Sequence, residues 1–228
     1  MSKQLKKYIQ ELILPTPEPM EYYVSIETDK ARDNYIKRIE KIVRSSLEYK
    51  DYIAFLKENV DMKRCAFFQK VCQEETSGRK RISIEIHHEP FTLYDYCDIA
   101  IDTWEYEGRP LNDLLIADEV LRLHYENKVG LVPLSKTVHE VIHSSEINNT
   151  NKLFVPLYMV YGNYKEFLEE NACSERIDRL YEKLEKKMER TANVNIQSFD
   201  AIAKQFTYLR VNGFNEIEKM EVEQKQAM

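Results

Sequence analysis

The chain has no run of about eighteen consecutive apolar residues, which excludes a helix that crosses a bilayer, and no membrane association is expected. Its opening stretch, MSKQLKKYIQELIL, lacks the unbroken apolar core and small-residue cleavage site of a secretory signal, so a cytoplasmic location is expected. No CxxC pair occurs. Cys65, Cys72, Cys97 and Cys173 are spaced neither as a metal knuckle nor as a disulfide framework, which fits free thiols in a reducing compartment. There is no excess of positive charge either. A net charge of -6 argues against a general coat over nucleic acid, while leaving room for a local basic surface. Internal repeats and low-complexity tracts are also absent.

The chain does have enough apolar material, 43% of 228 residues, for one sizeable core or a smaller core with helical extensions. Prolines 15, 17 and 19 separate a short N-terminal helix from the rest of the chain. Thr28 then caps a predicted helix to about Arg44, with Ala31, Tyr35, Ile36, Ile39 and Ile42 at helical spacing; a second helix is expected over about 47–59. RCAFFQKVCQ and RKRISIEIHH are strand-like runs around the turn residues Ser77 and Gly78, so 64–89 reads as an antiparallel hairpin ended by Pro90. Helices are expected at about 92–105 and 111–126, then a loop, NKVGLVPLSKT, and a short helix over 137–145 started by the Thr137/Glu140 pair. Beyond it come FVPLYMVYGNYKEFLEEN, a charged helix in SERIDRLYEKLEKKMER, a piece around 197–209 and a polar tail. The fold class is α+β, mostly helical, in three regions: 1–61, 62–150 and 151–228.

The histidines carry the chemical signal. Four of the five fall in two clusters, His87-His88 at the end of a strand and His139 with His143 on a helix. Residues four apart share a helix face, so His139 and His143 can offer two nitrogens to one ion. HEVIH also satisfies H-E-x-x-H, in which Glu140 is the general base of a zinc peptidase and a carboxylate such as Glu166 the third ligand. Pro133 leaves little helix before His139 for that reading, and His87-His88 has no task in it. His124, in LRLHYEN, reads as an ordinary helix-face residue.

A strand ending in HHEP, a loop GLVPLSKTV and a helix carrying HEVIH resemble the HNH endonuclease family, whose ββα-metal motif places one divalent ion between hairpin and helix. The resemblance spans about residues 62–147, with 92–126 as a helical insertion. It implies His87, His139 and His143 as metal ligands and His88 as the general base that activates water for phosphodiester hydrolysis. One divalent ion is implied, with Mg, Mn, Zn and Ni undistinguished. DNA is the expected substrate and RNA stays open. The lysine-, isoleucine- and tyrosine-rich composition looks like that of a bacteriophage product.

The sequence departs from the family at Gly130, where the family has an asparagine that ties the loop and helps to orient the base. Asn127 is the candidate replacement. Arg79, Lys80, Arg81 and Lys136 are candidates for phosphate contact. All the implied roles need neutral imidazoles, so metal affinity and activity are expected to fall below about pH 6.5. A second function class is a metal-binding scaffold of the same design without catalysis, acting as an interaction protein. The helical flanks are candidates for a protein partner or self-association.

Overall fold

A computed structural model describes residues 24, 26–68, 72, 82–147 and 153–192. The expected N-terminal helix, most of the 64–81 segment, the basic residues 79–81 and the piece at 197–209 lie outside the described residues.

The first four long helices each start where a side chain satisfies free N–H groups. Helix α1, Asp29–Ser45, is capped by Thr28, whose hydroxyl accepts from Ala31 N at 3.1 Å. Ser46 ends α1 and caps α2, Leu47–Asn59, accepting from Tyr49 N. Helix α3, Leu93–Tyr106, has a full capping box between Thr92 and Asp95; Asn112 caps α4, Asp113–Tyr125. These four helices pack on one another, with Ile36, Ile39, Val43, Leu56, Tyr96, Ile99, Ile116 and Val120 in the larger core. Phe167 and Leu168 of α6, Tyr164–Glu170, and Leu180 and Leu184 of α7, Asp178–Ala192, complete it. The helices at 92–126 therefore form the centre of this core together with flanking segments from both sides.

The sheet differs from the expected hairpin. Strand β1, Ile84–His88, pairs antiparallel with β2, Leu131–Ser135, a segment whose sequence reads as loop. The run that holds Cys65 and Cys72 contributes an isolated bridge, Arg64 to Cys72, among the described residues, and Ala66 N donates to Pro133 O. A proline inside GLVPLS argues locally against a strand, because it has no N–H for the ladder. Pairing across two helices overrides that local signal. Helix α5, Lys136–Ile147, leaves β2 directly and lies on the sheet over a second, smaller core of Ile84, Val132, Leu134, Val138, Ile142, Leu153 and Val155. Strand, strand and helix thus stand together, with the two strands separated in sequence by α3 and α4.

The register is Ile84 to Ser135, Glu85 to Leu134, Ile86 to Pro133, His87 to Val132 and His88 to Leu131. The ladder continues past His88, since Glu89 N donates to Gly130 O at 2.9 Å. The strand does not give way before Pro90, and neighbouring side chains therefore go to opposite faces. Among the described residues no helix is long and apolar enough to cross a membrane.

Candidate metal centre

Strand alternation sorts EIHHE into two sets. Glu85 and His87 share the face toward α5, with Glu89 next in that alternation just past the strand, while His88 shares the opposite face with Ile86. On α5, the spacing of four puts His139 and His143 on the side that looks back at His87. One nitrogen from each of His87, His139 and His143 lies within 4.8 Å of the others. The ring centroids of His87 are 4.9 Å from His139 and 5.1 Å from His143, and the Nε2 atoms of His139 and His143 are 2.9 Å apart. A tetrahedral zinc site with Zn–N of about 2.0–2.1 Å would set its nitrogens roughly 3.3 Å apart, so small side-chain adjustments complete it. The three residues that the sequence singles out as ligands are brought together.

The donor chemistry suits a borderline divalent ion. Burial and the neighbouring His87 and His143 hold the His139 imidazole below its usual pKa, with Glu85 opposing, which favours the neutral form that a metal needs. Its Nδ1 lies 2.6 Å from Glu85 Oε2, so Nδ1–H donates there and Nε2 is left for an ion. This is the carboxylate–histidine arrangement that fixes tautomer and ring direction at metal sites. Sequence reading missed Glu85, although its place two residues before His87 on the same strand face was the signal. His87 is 7% exposed and His143 lies at the surface, so the cluster has one buried wall and one open side.

His88 is not part of this cluster. It is buried on the other face, stacked on Tyr49 with the rings 8° from parallel, and its Nε2 is 3.1 Å from His124 Nε2. His124, fully buried rather than on an exposed helix face, has its Nδ1 2.7 Å from Val120 O. That carbonyl only accepts, so His124 donates from Nδ1 and accepts at Nε2, and His88 donates from its own Nε2. The position expected for a water-activating base is thus a neutral donor inside the helical core, because the strand stays regular through residue 88.

Burial pushes the His124 imidazole down to about 4, with its bond to Val120 O opposing, and burial also pushes His88 well below the usual value. An unfolded histidine titrates near 6.5, so between these values the unfolded chain binds more protons and stability falls as pH falls. His124 alone should remove about 2 kcal/mol of metal-free stability between pH 7.5 and 5. Urea unfolding in chelator at the two pH values measures this; equal stability at both would contradict the buried pair.

Gly130 lies where β1 and β2 meet; its N–H donates to the Tyr96 hydroxyl at 3.0 Å, and a Cβ there would be driven into the Glu89 carbonyl. An asparagine cannot take the family's place at this position without moving backbone. Asn127, two residues past the end of α4, has φ 59°, and its buried Oδ1 has no hydrogen-bond partner among the described residues, so that oxygen makes no tie to His88. Lys136 is exposed at the start of α5, with Nζ 3.8 Å from Glu140. Glu140 is itself exposed, and Glu166 accepts from Asn163 at 2.6 Å and neighbours Lys128; among the described residues it is not in the group that His87, His139 and His143 form.

The sequence pattern of one family, described as Bacteriophage G278-like virion protein, matches residues 3–218. No curated protein and no solved structure matches the chain. The chain belongs to the bacteriophage G278-like virion protein family.

Proposed function

We propose that this member of a phage virion protein family is a metalloprotein of the phage particle, holding one divalent ion between β1 and α5 in a ββα frame that is a scaffold rather than a nuclease. The observation that carries this reading is the convergence of His87, His139 and His143 with Glu85 behind His139. His87 comes from the strand and the other two from one helix face, so the ion would tie α5 to the sheet across the smaller core. Binding to the folded state alone adds about 2.7 kcal/mol at a free metal concentration one hundred times the Kd.

Phosphodiester hydrolysis is the second reading. It is favoured by the open side at His143 and by the HNH-like order of strand, strand and helix. A bound divalent ion would supply Lewis-acid polarisation of a phosphodiester. This chain's own residues would have to supply the proton acceptor, and His88 is committed as a donor to His124 in the core.

Plasmid nicking across Mg, Mn, Zn and Ni, beside chelator-competition binding, separates the two. For a scaffold, the expected result is stoichiometric metal, no nicking, and His88→Ala that still binds metal. Metal-dependent nicking lost in His139→Ala would overturn it in favour of a nuclease, and its survival in His88→Ala would place the base elsewhere.

A further inference from the structure

Glu89, the third member of the strand face that carries Glu85 and His87, is not among the proposed ligands or their first supports. It is 1% exposed, one of the most deeply buried charges among the described residues. Its Oε2 lies 3.6 Å from His87 Nε2, and its Oε1 is held by the Nζ of Lys187 on α7. The two oxygens therefore face two different partners. A buried carboxylate is costly unless its charge is answered, and here Oε1 meets the Lys187 ammonium while Oε2 stands beside the His87 imidazole, just beyond hydrogen-bond distance.

Lys187 belongs to a row. Arg179, Lys183 and Lys187 recur at four-residue spacing along one face of α7. Each meets a buried carboxylate: Arg179 pairs with Asp98, Lys183 with Asp95 at 2.6 Å, and Lys187 with Glu89. Asp95 and Asp98 are on α3, away from the three clustered histidines, which makes their pairs a staple between helices. The third pair differs, because its carboxylate also reaches the imidazole of a proposed ligand.

We propose that Glu89 is a positioning residue of the metal centre, with one oxygen set beside His87 Nε2 and the other held by Lys187, so that the docked helix α7 sets part of the metal affinity. This rests on the proposed three-histidine site. Glu85 and Glu89 then form a pair of outer carboxylates, one behind the helix histidine and one beside the strand histidine. Loss of such outer partners costs roughly 10- to 100-fold in metal affinity.

The test uses the full chain and Co2+ as probe, with affinity from chelator competition and the ligand-field absorption of the bound ion as a second readout. Glu89→Gln and Lys187→Met should each weaken Co2+ by about 10-fold or more and alter the absorption, as should Glu85→Gln. Lys187→Arg should restore wild-type affinity. Lys183→Met removes a neighbouring staple of the same kind and should leave Co2+ affinity unchanged, which separates positioning from general support of α7. If Glu89→Gln misfolds, Lys187→Met with wild-type circular dichroism carries the test. Wild-type Co2+ affinity in both Glu89→Gln and Lys187→Met, or an equal loss in Lys183→Met, overturns the proposal while the histidine site stands. Failure of the unaltered protein to bind Co2+ at all would overturn the site itself, and this proposal with it.

Discussion

His139→Ala is expected to abolish stoichiometric binding of a divalent transition metal, with the Kd rising by more than roughly 100-fold, beyond the usual cost of losing an outer partner. The reason is geometric. His139 is one corner of a nearly equilateral triangle of imidazoles, 2.9 Å from the Nε2 of His143 and with its ring centroid 4.9 Å from that of His87, and its outward nitrogen is already fixed by Glu85. Alanine leaves one imidazole on the strand and one on the helix, and the donor oriented by the Glu85 carboxylate is gone. Thermal denaturation with excess zinc provides the check: zinc should raise the Tm of the unaltered protein and leave that of His139→Ala where it was. His88→Ala should keep the zinc-dependent rise, although its own baseline will be lower because it empties a site between Tyr49 and His124.

Gly130→Asn, which writes the HNH asparagine into this chain, is expected to destabilise it by about 3 kcal/mol or more and lower the Tm by about 6–12 °C. Gly130 O accepts from Glu89 N, its N–H donates to Tyr96, and a side chain there would meet the Glu89 carbonyl and, at 3.0 Å, the Tyr164 ring. Backbone on one side and a buried ring on the other leave no cheap direction of relief. Gly130→Ala should show the same loss, since the clash begins at Cβ. An asparagine variant as stable as the parent, or one that gains nicking activity, would mean that the loop is built as in the nuclease family after all.

Helix boundaries were legible because capping is a local signal. Thr28 announces its helix in sequence and the structure starts one beside it, and Ser46, Thr92 and Asn112 cap the next three close to the starts that apolar spacing suggests; the helix expected to open at Thr137 instead begins at Lys136, straight out of β2. The sheet was not legible, because β1 finds its partner across α3 and α4 and because Pro133 hides β2. The three ligands could be named from clustering and from the spacing on α5, which are also local. The fate of His88 could not. Whether adjacent histidines share a site depends on whether the strand bends between them, and that is decided by the ladder to Leu131 and Gly130. His124 looked ordinary for a related reason: its partner comes from a strand 36 residues away.

Glu89 shows the limit most clearly. In sequence it is one letter between two histidines and a proline, and its link to Lys187 joins residues 98 positions apart.

Whether His87, His139 and His143 hold one divalent ion is tested most directly by zinc K-edge X-ray absorption on the zinc-loaded full chain. The expected result is one zinc per chain with three imidazole nitrogens at about 2.0–2.1 Å, falling to fewer imidazoles in His139→Ala. Zinc that binds substoichiometrically, or with a shell that His139→Ala leaves unchanged, would contradict the three-histidine site.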